Sequence, residues 1–177
     1  MIRAAMIVML SLVVGGCFEE KVVEKPHPIA LTAEAVGHYC QMNILEHEGP
    51  KAQVHIAGHS APLWFSQVRD AVVFTRLPEE TAEITAIYVN DMGRAESWAD
   101  PGPDNWVEAD LAHFVIGSRQ TGGMGVPEVI PFGVRSDAES FVKQYGGKIV
   151  RFAEIPEDYV LSSVDTASAG ETGAAAQ

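Results

Sequence analysis

The stretch EVIPFGVRSDAESFVKQYGGKIVRF (residues 128–152) decides the fold. EVIPFGVRS reads as a strand. Ser136 and Glu139 then stand at the spacing of a capping box. Ala138, Phe141, Val142 and Tyr145 form an apolar stripe of helical period. Gly146 and Gly147 predict a left-handed helix stop, and KIVRF follows as a short strand. Ahead of this unit, AHFVIGS suits a strand by its apolar run, although EADLAHF also suits a helical turn.

The same order precedes it. QVHIAG alternates apolar and polar side chains, as a half-buried strand does. In HSAPLWFSQVRDAVVFTRLP, Ser60 is placed to cap a helix and Pro62 falls in its first turn. Trp64 or Phe65, Val68, Ala71, Val72 and Thr75 recur at helical spacing, and Pro78 stops the run. AEITAIYVND alternates again, with Ile84, Ala86, Tyr88 and Asn90 on one face and Thr85, Ile87 and Val89 on the other. HIAGHSAPLWFSQV and PFGVRSDAESFVKQ match in pattern but hardly in identity. The expectation is an α+β protein of two small ββαβ-like units, helices covering one face of largely antiparallel sheets. VGHYCQMNI ahead of the first unit is as ambiguous as AHFVIGS.

The termini read differently. Residues 1–16 have Arg3 and an apolar run of signal-peptide length, too short to span a membrane comfortably. The run ends in VGGC. Small residues ahead of a cysteine resemble a bacterial lipobox, which implies cleavage before Cys17 and lipidation of that residue. Residues 17–28 are charged and proline-containing and read as a tether. The first unit then occupies 29–95, a connection rich in Gly, Pro and Asp occupies 96–107, and the second unit occupies 108–162. Trp98 and Trp106 in the connection predict that it packs. Residues 163–177 have one large apolar side chain, Val164, and read as a disordered tail. The expected location is the periplasm, on a lipid anchor.

Acidic residues number 24 and basic residues 12, a formal net charge of −12. That excludes nucleic acid as a partner, since phosphates need a basic surface, and is compatible with attracting cations or a basic protein surface. The chain has no Gly-rich phosphate cradle, because GSRQTGGMG lacks the Gly-Lys-Ser/Thr ending. It has no nucleophile elbow and no H-E-x-x-H motif. His47, in EHEG, reads as part of a solvated polar turn. His55 and His59 make a weak zinc pair with too few further donors nearby. His113, in an apolar stretch, reads first as a packed histidine.

Sulfur is more informative. If Cys17 carries lipid, Cys40 has no partner within the chain, which is worth notice in an oxidising compartment. It is open to three readings: burial as a small hydrophobe, an intermolecular disulfide, or thiolate ligation of a soft metal. Met42 lies two residues on, and i, i+2 side chains share a face where the chain is extended. Met124 stands among glycines in TGGMGVP, where a core methionine is not expected. Met92 follows a strand end in NDMG. Thiolate with thioether is a soft donor set of the kind that selects Cu(I).

Taken in order, the lipobox cysteine, YCQM, YVND, AHFVIGS and MGVPEVIPFGVRSDAESFVKQYGGKIVRF resemble the NosL family over nearly the whole mature chain. Those proteins are bacterial copper-binding lipoproteins encoded with nitrous-oxide reductase. The resemblance implies two small α+β units related to the organomercurial lyase. It implies a periplasmic metallochaperone, not an enzyme, that binds one Cu(I) per monomer. Its expected partners are apo nitrous-oxide reductase with its maturation machinery, and the membrane through the lipid. By position, Cys40 and Met42 match the family's Cys-Gly-Met, with Gln41 departing from the usual glycine. Met124 matches the family's Met-Gly ahead of the PF strand. His38 and His113 are possible additional ligands. Met92 stands where the family often has an aromatic residue. The competing expectations are a metal-free lipid-tethered interaction module and a thiol-dependent lyase-like enzyme, which would want a second thiol and a carboxylate proton donor near Cys40.

Overall fold

Alternating side chains build the first sheet in the computed structural model, which describes residues 25–161. Strand β1 (Ala52–Ile56) lies between β2 (Leu63–Phe65) and β3 (Ile84–Asn90), and β4 (Trp106–Glu108) closes the far edge, all antiparallel. The second sheet has β5 (His113–Ile116) between β6 (Ile130–Phe132) and β7 (Lys148–Val150), again antiparallel. Helix α1 (Val68–Phe74) follows β2, α2 (Arg135–Tyr145) follows β6, and α3 (Glu157–Leu161) ends the described chain. Each sheet therefore carries the same ββαβ order, with its first strand central and the next two flanking it. The α+β expectation holds. The signal segment, Cys17, the start of the tether and the tail lie outside the described residues.

The repeat differs in detail from the sequence reading. Leu63, Trp64 and Phe65 are a strand paired with Val54, Gln53 and Ala52, so the first helix begins at Val68 and not near Ser60. Ser60 and Pro62 imitate helix-start chemistry, but Trp64 and Phe65 alternate across the sheet, and Phe65 enters the core at 1% exposure. The units then align with Leu63–Phe65 on Ile130–Phe132, Gln67 on Val134 as N-caps, and Val68 on Arg135 as first helical residues. HIAG pairs with no part of PFGV. The capping box of α2 does not form. Val134 is the N-cap, Ser136 lies inside the helix, and Glu139 bonds Arg135 at 3.0 Å instead. Gly146, at φ +77°, does end the helix, donating its N–H to Val142.

AHFVIGS resolves as both of its readings. Ala109 and Glu108 carbonyls close a turn on Ala112, and β5 begins at His113. The N-terminal segment accounts for a further difference. Every residue of β1 is buried, not half-buried. One face enters the core through Ala52 and Val54. Over the other face, Ile29 exchanges both backbone hydrogen bonds with the Gln53 amide, and the Tyr88 hydroxyl bonds the Pro26 carbonyl at 2.7 Å. Polar strand residues are thus satisfied by chain that precedes them, as buried polar groups require.

One apolar core joins the two units. Val54, Phe65, Val68, Val72, Phe74 and Val89 of the first pack with Phe114, Ile116 and Val129 of the second. The outer face of the second sheet packs on α2 through Val115, Ile130, Phe132 and Ala138, with Phe141 and Val142 alongside, as the helical stripe predicts. Met92 sits in that cluster. Among the described residues no helix is long and apolar enough to cross a membrane.

Candidate metal centre

Two loops and one strand end converge at Cys40. The first loop is a tight turn. Val36 and Asn43 form an antiparallel bridge, the Gly37 N–H donates to the Met42 carbonyl, and the Gln41 N–H donates back to the Gly37 carbonyl, both at 2.9 Å. The His38 N–H donates to the Trp64 carbonyl at 2.7 Å, which pins the turn beside the end of β2. Cys-x-Met is therefore not extended, as an i, i+2 argument requires. Gln41 sits at φ +55°, the only non-glycine residue with positive φ among those described. Such a conformation costs about 1–2 kcal/mol in an L-residue. The Gln41 amide offsets part of this by donating to the His38 carbonyl at 2.6 Å. Glycine is the residue that adopts this geometry without cost. Gly37 has a second role: a Cβ there would lie 2.4 Å from Cys40 Sγ, so the thiol rests directly over that residue.

The second loop carries Met124. Thr121 and Pro127 pair across its base, with Gly122 N–H to Val126 carbonyl at 2.9 Å. Its glycines are required by close approach. A Cβ on Gly123 would lie 2.5 Å from the Glu48 carbonyl oxygen, and one on Gly122 would lie 2.6 Å from Gln67 Nε2 and 2.7 Å from Glu128 Oε2. The loop is pressed down at its base while Met124 stays 44% exposed.

Ser66, between β2 and α1, is where the loops meet. Its hydroxyl oxygen is 3.5 Å from Cys40 Sγ and 4.0 Å from Met124 Sδ. The residues most separated in sequence, Cys40 and Met124, are thus brought to one point, and Met42 projects at 40% exposure from the turn that holds Cys40. Cys40 itself is half-buried, so it is sheltered yet reachable. Ser66 was not singled out from the sequence. A serine after an apolar run carries no distinguishing signal; only the position it takes beside two sulfurs does.

The two candidate histidines have other neighbours. The His38 ring packs among Tyr39, Phe65 and Phe74 at centroid distances of 5.2, 5.7 and 5.6 Å. His113, on β5, stands 3.3 Å from an Arg151 guanidinium nitrogen. Desolvation and then the Arg151 and Arg135 charges hold its ring below the usual imidazole range. Met92 is partly buried against the second sheet. No group of three or more His, Cys, Asp and Glu side chains is placed to hold a metal ion among the described residues.

Behind the loop lies a buried polar layer. Glu128 accepts N–H groups of Arg69 and Val129 at 2.9 and 2.8 Å through one oxygen, while the other has no partner. Burial pushes its carboxyl up to about 8. Lys51, pushed down to about 8 by burial, donates to the His47 and Gly49 carbonyls at 2.5 and 2.6 Å. On the solvent side, desolvation and the carboxylates of Glu80, Asp70 and Glu79 push the Tyr39 hydroxyl up to about 12. These carboxylates lie around the Tyr39 hydroxyl, which neighbours Cys40 in the chain.

A family model described as NosL matches residues 28–160. The chain is 48% identical over 163 residues to the copper-binding lipoprotein NosL of Achromobacter cycloclastes, a match spanning 92% of this chain and 84% of that protein. It is 30% identical over 152 residues to the copper-binding lipoprotein NosL of Stutzerimonas stutzeri, over 85% of this chain and 77% of that one. The crystal structure of the copper chaperone NosL from Shewanella denitrificans superimposes with a TM-score of 0.69 at 37% identity, covering 74% of this chain and 96% of that one. These relatives are named for binding and chaperoning copper, not for catalysis.

Proposed function

Because the chain belongs to the NosL family, we propose that it is a lipid-anchored, periplasm-facing metallochaperone. It binds one Cu(I) through Cys40, Met42 and Met124 and delivers it for assembly of the copper-sulfide centre of nitrous-oxide reductase. The observation that carries the reading is the meeting of Cys40 and Met124 at Ser66. Thiolate and thioethers form a soft donor set that favours Cu(I) over harder ions. One thiolate also cancels the single positive charge, so a half-buried complex carries no net charge that burial would penalise.

Transfer follows from exposure. Both methionines reach solvent, so an incoming donor from a partner can bind the metal before the Cys40 bond breaks. The carboxylates around Tyr39 favour a partner with a basic docking face, which steers association without fixing affinity. The enzyme alternative needs a second thiol, and Cys40 is the free cysteine of the described chain.

The test is a Cu(I) titration of the reduced protein against a competing chelator, with Cys40→Ala, Met42→Ala and Met124→Ala. One equivalent bound tightly, lost in Cys40→Ala and weakened in each methionine variant, supports the reading. Unchanged binding in Cys40→Ala contradicts it. Absence of binding in the parent protein leaves the metal-free interaction module.

A further inference from the structure

We propose that Ser66 is a positioning residue of this centre, its one hydroxyl orienting the Cys40 thiol and the Met124 thioether toward a shared point. The inference rests on the copper reading above and extends it to a residue that is not itself a donor to the metal.

The repeat supplies a comparison. Ser66 aligns with Gly133, since Phe65 aligns with Phe132 and the N-cap Gln67 with Val134. The same strand-to-helix corner is therefore built once with a hydroxyl and once with no side chain. At Gly133 the corner is closed by a backbone N–H to Asp91, at 2.9 Å, and a Cβ would lie 2.5 Å from that carboxylate. The corner does not need a serine to form.

At Ser66 the hydroxyl is used differently. Serine ahead of a helix ordinarily accepts from the first turn's N–H groups, but here the Arg69 N–H of that turn donates to the Glu128 carboxylate at 2.9 Å and the N-cap Gln67 side chain makes no capping bond. Ser66 is buried, at 2% exposure. Among the described residues its side-chain partners are two sulfurs, Cys40 Sγ at 3.5 Å and Met124 Sδ at 4.0 Å. A hydroxyl has one proton and two lone pairs. While Cys40 carries its proton, the hydroxyl donates to the thioether and its lone pairs are open to the thiol. Both sulfurs are weak hydrogen-bonding groups, and a fully buried hydroxyl given only such partners is an inefficient way to stabilise a fold. It is an efficient way to hold two long-range donors on either side of one oxygen. Residues that orient metal ligands commonly change affinity 10–100-fold when removed.

The consequence is specific to Met124. Its loop is fixed at the base by Gly122 and Gly123, and among the described residues the polar contact of its sulfur is with Ser66. Without the hydroxyl, the thioether returns to solvent rotamers and must be re-ordered when metal binds.

The experiment is a double-mutant cycle on the reduced, full mature chain: parent, Ser66→Ala, Met124→Ala and the double variant, each titrated with Cu(I) against a chelator and each melted thermally. Ser66→Ala is expected to weaken binding about 10–100-fold with a melting curve close to the parent's. In the Met124→Ala background the same change is expected to cost less than about threefold, because residues acting as a unit are not additive. Ser66→Thr, which keeps the hydroxyl, is expected to restore most of the loss. Parent-like affinity in Ser66→Ala overturns the proposal, and so does an equal loss in both backgrounds. Undiminished binding in Cys40→Ala removes the copper-site reading itself, which separates the two failures.

Discussion

Gly37→Ala isolates the geometry of the thiol from the stability of the fold. A Cβ at this position would lie 2.4 Å from Cys40 Sγ and 3.6 Å from Ile44 Cδ1. The second contact is ordinary and the first is impossible. Sγ must retreat by about 1 Å to reach van der Waals separation, and the simplest retreat is a rotation of the Cys40 side chain away from Ser66. Gly37 is not among the residues at positive φ, and its hydrogen bonds use backbone atoms that alanine retains. Replacing glycine at a compatible conformation stabilises by about 0.4–1 kcal/mol through the unfolded chain, which offsets much of the local crowding. The expected result is a near-parent melting temperature together with a Cu(I) affinity lowered about 10–100-fold, the scale on which losing a ligand's orientation acts at a metal site. Chelator competition and calorimetry measure the two quantities on one preparation. Parent-like affinity in Gly37→Ala would refute the reasoning, because the thiol would then not need the place that Gly37 leaves for it.

Three further outcomes are expected. Gln41→Gly removes the cost of a left-handed glutamine, about 1–2 kcal/mol, but loses the amide bond to His38 and gains unfolded-state freedom; it changes stability by less than about 1 kcal/mol and keeps Cu(I) binding. Gln41→Val, β-branched at φ +55°, costs about 1–3 kcal/mol, and denaturant titration of the pair reads the difference. Gly123→Ala drives a Cβ onto the Glu48 backbone, costing about 1–3 kcal/mol and weakening Cu(I) binding through Met124; an unchanged melting curve would show that the loop does not press on that segment. Glu128 gives a pH dependence: its folded carboxyl holds a proton up to about 8, above its unfolded value, so folding takes up a proton. Its stabilising contribution is full below the usual carboxyl range and drains away as pH rises toward 8. Glu128→Gln removes that slope, as denaturant midpoints measured across this window will report.

What the sequence disclosed follows physical lines. Strands β1 and β3 and helix α2 were legible because each shows a full period of alternation or a helical stripe; β6 and β7, three residues each, were placed by the helix between them, and the two-unit order followed. Three-residue strands such as Leu63–Phe65 contain too little alternation to register, and Ser60 with Pro62 supplied a false helix start just upstream. The capping box at Ser136 and Glu139 failed because the side chains at Arg135 and Glu139 found each other instead. At the site, soft-donor chemistry and family resemblance singled out Cys40 and Met124. The turn at Gln41 was not legible, since a positive φ in a residue other than glycine leaves no mark in the sequence. Ser66 was equally silent: its role comes from which atoms the fold sets beside it.

Copper-edge X-ray absorption on the Cu(I)-loaded protein tests the central claim most directly. The account predicts a first shell of sulfur scatterers alone, reduced by one sulfur in Met124→Ala and again in Met42→Ala. A shell of nitrogen or oxygen, or a sulfur shell indifferent to both methionines, would contradict it.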